Sequence, residues 1–365
     1  MSGPAAGTAD AATTTDVVCL GESMVTFLPS QPGRLADVPS FGRGIGGAES
    51  NVACALAAAG HRAAWVGRVG ADGFGDHLVE TIASYGVDTS AVRRDPVRPT
   101  GIYFRTATDR GTDTHEVAYY RAGSAASAMS PDNVPYEDLL AGRILHLSGI
   151  TAALSADCLA LLRDLTAPRP GRPLVSFDVN HRPHLWRGGD ADASVLLELA
   201  RRADLVFVGE DEAEEAWGIV GAEAIRAALP EPAVVVVKRG SAGATVFSGL
   251  RPGPRSSNAG GAEGADTVTL VPALRVDVVA AVGAGDAFAA GFLSATLRGL
   301  PVRERVRHGH LMAAAVLTVP GDLTDPPVRD HADRLAALDD DAWGRLRLGP
   351  GWTAADRAPE EVRTP

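Results

Sequence analysis

Hydrophobic positions along this chain fall into two rhythms. Short, wholly apolar or nearly apolar runs bounded by glycine or charge recur at 16–21, 64–69, 143–147, 174–179, 205–208 and 233–238. Runs of this length without polar alternation predict strands buried on both faces. Between them lie segments with helical spacing or small-residue composition, among them 48–59, 156–165 and 191–202. The alternation of strand and helix predicts an α/β fold, a three-layer sandwich with a mainly parallel central sheet.

Two stretches depart from this rhythm. Residues 24–41 and 101–120 alternate polar and apolar positions, the second as Ile-Tyr-Phe-Arg-Thr and Glu-Val-Ala-Tyr-Tyr around a turn at Asp109-Arg110-Gly111. They predict a small β-lid beside the main sheet. Residues 250–266, rich in Gly, Pro, Ser and Ala, predict a flexible loop between hairpin strands. The organisation expected is a disordered leader over 1–15, one domain over 16–323 and a peripheral C-terminal extension over 324–365.

Composition narrows the function classes. A net charge of −11 argues against a general nucleic-acid or anionic-membrane surface, so an anionic ligand must be held by locally placed cations. Cys19, Cys54 and Cys158 are isolated, with neither metal-ligand spacing nor an even disulfide framework, and read as reduced, buried thiols of a cytoplasmic protein. Residues 1–15 contain no Lys, no Arg and no apolar block, so no secretory or transit signal is expected there. No apolar run approaches the roughly 18 to 20 residues of a membrane span.

The most informative motif is Gly283-Ala284-Gly285-Asp286, opening the apolar stretch 287–297. Three small residues leave backbone N–H groups uncovered at the positive end of a helix, a place suited to an anion. Asp286 there admits two readings: an N-cap for the helix, or a base that takes a proton from a hydroxyl attacking a bound phosphoryl group.

Other motifs also carry a chemical and a structural reading. Gly42-x-Gly44-x-x-Gly47 spells the dinucleotide fingerprint but does not directly follow an apolar strand; Gly46 and Gly47 fit better as a close approach to a small polyol, with Asn51 turned toward it. The glycines from Gly67 to Gly75 read as a tight connection. Asp178-Val179-Asn180-His181-Arg182-Pro183 follows a strand at its C-terminal end, where Arg182 suits a carboxylate or phosphate, or else a surface salt bridge. His181 and His184 lack a third ligand at metal spacing. The acidic run Glu210, Asp211, Glu212, Glu214 and Glu215 suits either a solvated helix start or water-mediated Mg²⁺ binding. Lys238-Arg239-Gly240-Ser241-Ala242-Gly243 suits nucleotide phosphates or a hairpin turn.

Taken in order, Gly46-Gly47-Ala48-Glu49-Ser50-Asn51, Gly67 to Gly75, Lys238 to Gly243 and Gly283 to Phe288 resemble the ribokinase-like (PfkB) family of carbohydrate kinases over about residues 16–322. Within it the chain is most similar to the kinases of 2-keto-3-deoxygluconate. The residues that carry this are Gly21-Glu22-Ser23-Met24, Thr100-Gly101-Ile102-Tyr103, Tyr119-Tyr120-Arg121-Ala122-Gly123-Ser124-Ala125 and the Asp178 to Pro183 segment.

The resemblance implies an ATP-dependent transfer to the 6-hydroxyl of the sugar acid. Asp286 would accept the proton while the N–H groups of Gly283, Ala284 and Gly285 stabilise the transferring phosphoryl. Gly46, Gly47 and Asn51 would line the sugar site and Tyr103 and Tyr119 would come from the lid, while Arg121 and Arg182 would grip the carboxylate and keto end. Lys238, Gly240 and Gly243, with Gly283 and Gly285, would lie along ATP, and Glu212 would stand behind the waters of Mg²⁺. A second copy of the chain is the expected protein partner, through the lid.

Two positions depart from the family pattern. Ala280-Ala281-Val282 stands where many relatives read Asp-Thr-x or Asp-Pro-x, an Asp that helps hold a monovalent cation, which puts K⁺ activation in doubt. Gly209 replaces the usual Asn or Ser. The alternatives are a kinase of a neutral sugar such as fructose or ribose, and a non-catalytic sugar-acid-binding regulator on the same fold.

Overall fold

The computed structural model describes residues 15–31, 33–106, 117–186, 192–249 and 266–354. Its centre is an eight-stranded sheet in the order Thr267–Val271, Ala244–Ser248, Val234–Lys238, Leu205–Gly209, Leu174–Asp178, Ile144–Ser148, Val17–Leu20 and Ala63–Val66. The six strands from Ala63–Val66 to Val234–Lys238 run parallel, and the last two add as antiparallel hairpin strands. Wholly apolar strands arise here because both faces are covered. Val17 and Cys19 enter one core, while Val18 and Leu20 enter the other.

Helices build those two layers. Ala48–Ala58, Ala284–Leu297 and Val302–Leu317 cover one face, and Ala156–Leu165 and Ser194–Arg202 cover the other. The first helices are rich in Ala and Gly, which permits close packing. A Cβ at Gly291 would lie 2.4 Å from the His308 carbonyl oxygen of the neighbouring helix.

The lid is a separate four-stranded sheet in the order Phe41–Gly46, Met24–Pro29, Ile102–Arg105 and Val117–Tyr120. It is held by aromatic contacts, with Phe27 stacked on Phe104 at 4.7 Å and Phe41 edge-on to Phe104 at 5.2 Å. Gly42 and Gly44 lie within the antiparallel edge strand of this lid and Gly47 caps the helix Ala48–Ala58 that follows, so the dinucleotide spelling opens from the lid sheet rather than from a parallel strand of the central one. The glycines from Gly67 to Gly75 serve a connection organised by Asp72, whose carboxylate accepts from the N–H groups of Phe74, Gly75 and Thr100. The proposed turn at 109–111 and most of the loop 250–266 lie outside the described residues.

The segment after Thr324 is not peripheral as far as Trp352. Arg329–Ala336 and Asp340–Arg345 are helices, and Arg347–Leu348 pairs with Arg275–Val276. Trp343 and Trp352 are fully buried in the same core as the helices flanking the sheet. The expectation of an outlying extension fails here because apolar residues at helical spacing, Ala332, Leu335 and Ala336, dock onto that core. Among the described residues, no helix is long and apolar enough to cross a membrane.

Candidate active site

The C-terminal ends of the parallel strands, the start of the helix Ala284–Leu297 and the inner face of the lid enclose a cavity of about 340 Å³. Nearly all the residues singled out for sugar and phosphoryl binding meet there: Gly46, Gly47, Asn51, Tyr103, Tyr119, Arg121, Arg182, Glu212, Lys238 and Gly283 to Asp286. Asp178, Arg182, Glu212 and Lys238 converge because parallel strands deliver their ends and following loops to one edge of the sheet, while Gly46 arrives from the lid and Asp286 from the head of its helix.

Asp286 is not the N-cap of its helix. Gly283 is the N-cap residue, with φ of 79°, and no side chain caps this helix. A Cβ at Gly283 would stand 2.6 Å from the carbonyl oxygen of Asp322, so both conformation and space demand glycine. Asp286 lies in the first turn, and its Oδ2 accepts a 2.9 Å hydrogen bond from Asn51 Nδ2. Burial pushes the Asp286 carboxyl up to about 7; the Asp178 charge adds to the rise, while the Asn51 hydrogen bond, Arg182 and Lys238 oppose it. A carboxylate disfavoured in this way is a stronger proton acceptor than an exposed one.

Close approach explains the other glycine pair. A Cβ at Gly46 would lie 2.2 Å from the Tyr103 hydroxyl, and one at Gly47 would lie 2.5 Å from the Glu22 carbonyl oxygen. Tyr103 and Tyr119 project from neighbouring lid strands with ring centroids 5.5 Å apart, and Tyr119 also stacks on His184 at 5.0 Å.

The two arginines differ in freedom. Arg121 forms an ion pair with the buried Glu22 and is itself largely covered, its side chain 10 % exposed. Glu22 is fixed in turn by the Ser124 hydroxyl, which donates to Oε1 at 2.6 Å. Arg182 is 46 % exposed and stands 3.8 Å from Glu212 Oε1, a looser association. The other Glu212 oxygen, Oε2, accepts from the N–H of Gly209 at 2.9 Å, so Glu212 also closes the start of the helix Glu210–Trp217. Among the described residues no group of three or more His, Cys, Asp or Glu side chains forms a metal cluster.

Lys238 ends the strand Val234–Lys238, and its Nζ lies 3.0 Å from both carboxylate oxygens of Asp178 on the next strand but one. Burial pulls this ammonium down, but the carboxylates of Asp178, Glu212 and Asp286 outweigh that and hold it above its ordinary value. Lys238, Ala281, Ala284 and Gly285 are shared with a second cavity of about 940 Å³. Gly240 and Gly243 line that cavity together with apolar Leu274, Val276, Phe288 and Leu317. The hairpin turn and the cavity wall are therefore one feature, since the Arg239 N–H donates to the Gly243 carbonyl at 2.8 Å while Gly243 adopts φ of 105°.

Several cavity residues were not singled out by their sequence context as site residues, among them Asp178, Glu22, Arg105 and Asp322. Asp178 and Glu22 stand within quoted motifs but find their partners only through tertiary contacts. Asp322 has no motif at all. It follows the helix Val302–Leu317, and its carboxylate receives Arg105 Nη2 at 2.7 Å and the Tyr103 hydroxyl at 3.2 Å.

Comparison with known proteins agrees with this arrangement. Residues 14–329 match the pfkB family carbohydrate kinase description. The chain is 35 % identical over 324 residues to the 2-dehydro-3-deoxygluconokinase of Bacillus subtilis (strain 168), covering 86 % of this chain and 93 % of that one. It is 32 % identical over 322 residues to the 2-dehydro-3-deoxygluconokinase of Thermoproteus tenax, covering 87 % and 93 %. The crystal structure of a PfkB protein from Polaromonas sp. JS666 superposes with a TM-score of 0.73 at 33 % identity, over 89 % of this chain and all of that one. An aspartate at the head of a glycine-capped helix, facing a lidded cavity, thus sits in a chain that belongs to the pfkB family of carbohydrate kinases.

Proposed function

We propose that this chain transfers the γ-phosphoryl group of ATP to the 6-hydroxyl of 2-keto-3-deoxygluconate, the compound also called 2-dehydro-3-deoxygluconate. The observation that carries this reading is Asp286 beside the uncapped N–H groups of Gly283 to Gly285, in a cavity that also holds Arg121 and Arg182. The names of the relatives point to the same substrate.

In the transfer, the sugar oxygen forms a bond to the γ-phosphorus while the bond from that phosphorus to the β,γ-bridging oxygen breaks, and ADP leaves. Asp286 Oδ accepts the hydroxyl proton late, as bond formation acidifies it. The N–H groups at the head of the helix stabilise charge on the transferring oxygens. Asn51 fixes the Asp286 carboxylate. Gly46, Gly47, Tyr103 and Tyr119 surround the sugar, and Arg121 and Arg182 face its carboxylate and keto end. Lys238 reaches the phosphates, and the apolar second cavity beside Gly240 and Gly243 takes the adenine and ribose.

Glu212 fits a water-mediated role toward Mg²⁺, because it lines the cavity and its Oε1 is only loosely associated with Arg182, at 3.8 Å. The ion would neutralise charge on the ATP phosphates. Ala280 and Ala281 offer no carboxylate to a monovalent cation, so this enzyme is expected to work without K⁺.

A neutral sugar such as fructose or ribose is the substrate in the second reading, favoured by the pairing of Arg121 with Glu22. An ADP-release assay over 2-keto-3-deoxygluconate, 2-keto-3-deoxygalactonate, gluconate, fructose and ribose separates the two. Turnover of neutral sugars alone would refute the sugar-acid reading, and binding without turnover of any of them would make the protein a regulator.

A further inference from the structure

Five carboxylates line the sugar cavity, those of Glu22, Asp178, Glu212, Asp286 and Asp322, in a site proposed to receive an anion. Four of them face a cation that also lines it: Glu22 meets Arg121, Asp178 meets Lys238, Glu212 meets Arg182 and Asp322 meets Arg105. Among the described residues, Asp286 alone of the five is in no ion pair, its carboxylate being held by the neutral Asn51.

The Arg105–Asp322 pair is enclosed on both sides, each side chain being 6 % exposed. Its partners come from the lid strand Ile102–Arg105 and from the turn after the helix Val302–Leu317. Asp322 has little freedom to swing away. Its Oδ2 is tied to the Tyr103 hydroxyl, Oδ2 and that hydroxyl both crowd the Cβ position of Gly46, and its main chain abuts Gly283. The carboxylate must stay in the cavity, so its charge has to be cancelled where it stands.

We propose that Arg105 is a specificity-determining residue for the sugar acid: it neutralises Asp322, which would otherwise repel the substrate carboxylate. This inference rests on the sugar-acid reading above. Arg105 also ties the lid to the turn beside Gly283, so the charge is cancelled when the lid strand is in place over the sugar.

The test is calorimetric titration with 2-keto-3-deoxygluconate and with 3-deoxyfructose, its neutral counterpart bearing a hydroxymethyl group in place of the carboxylate. Arg105→Gln is expected to weaken binding of the acid by about tenfold or more and of the neutral sugar by less than about twofold. The double variant Arg105→Gln/Asp322→Asn, which leaves no buried charge unpaired, is expected to recover most of the wild-type preference for the acid. Equal losses for both ligands in Arg105→Gln, or no recovery in the double variant, would overturn the proposal. Should Arg105→Gln fail to fold, Asp322→Asn decides: the preference for the acid must hold or rise, and a fall overturns the proposal. Wild-type protein that binds 3-deoxyfructose as tightly as the acid would refute the sugar-acid reading instead, whatever the variants do.

Discussion

Asp286→Asn should make this protein more stable while removing its activity. The carboxyl sits at about 7 against an ordinary 3.8 because burial disfavours its charge. At ~1.4 kcal/mol per pH unit, keeping it ionised in the folded state costs about 4 kcal/mol, reduced to roughly 2–3 kcal/mol because the group is only partly shut off from solvent. Asn is nearly isosteric and can still hydrogen-bond Asn51. For a chain of 365 residues, unfolding entropy of about 2.1 cal/mol/K per residue converts that gain into roughly 3–4 °C in Tm. The sign depends on pH. Because the folded state binds this proton more tightly than the unfolded one, wild-type stability falls as pH rises from about 4 to about 7 and then levels. The advantage of the Asn variant is therefore largest at pH 8, less than half as large at pH 5, and absent below pH 3.5. Calorimetric scans of both proteins at pH 5 and pH 8, with an ADP-release assay at pH 8, measure both halves. Turnover should fall by about 10²- to 10⁴-fold. An Asn variant no more stable than wild type at pH 8, or a gain independent of pH, would show that burial does not hold this carboxyl up. Near-normal turnover would remove the base.

Three further outcomes are expected. The kcat/KM profile of the wild-type enzyme should rise with pH through a midpoint near 7, since the ionised form of Asp286 is the acceptor; a flat profile from pH 5.5 to 8.5 contradicts the assignment. Lys238→Met should destabilise the fold by about 3–5 kcal/mol by leaving Asp178 buried and unpaired, and Asp178→Leu combined with it should recover most of that loss in denaturant melts. Trp343→Ala should cost about 3–5 kcal/mol, because the ring is fully buried and its Nε1 donates to the Pro272 carbonyl at 3.0 Å; a change within 0.5 kcal/mol would mean that the segment after 324 is dispensable.

The central sheet was legible because strands buried on both faces must be apolar throughout, and 174–179, 205–208 and 233–238 are. Their last residues could then be placed at one sheet edge without knowing any contact. The lid was legible for the opposite reason, since a sheet with unlike faces leaves alternation in the sequence. Asp322 had no such signature. It is one acidic residue in an irregular turn, and what makes it part of the site is an arginine 217 positions earlier and a glycine whose Cβ would meet its main chain. The pairing of Glu22 with Arg121 was hidden for the same reason, and with it the fact that this arginine is already engaged. The segment after 324 was misjudged where a signal existed: Ala332, Leu335 and Ala336 mark one helical face, but the surrounding charges and prolines mask it.

The distribution of charge in the cavity bears on why Asp286 is the carboxylate held without a cation in direct contact. A base paired to a lysine or arginine would be held below the ordinary carboxylate range and would accept a proton poorly. An unpaired one in a cavity already carrying four other carboxylates would be pushed up, and the incoming triphosphate and sugar acid would push it further. The observed arrangement lies between these limits. Lys238 and Arg182 lower the Asp286 carboxyl from a distance, each while associated with another acid, and Asn51 orients it without neutralising it. Four pairs keep the cavity near neutrality, so that burial of Asp286 itself, more than a surplus of like charge, sets how readily it takes the proton.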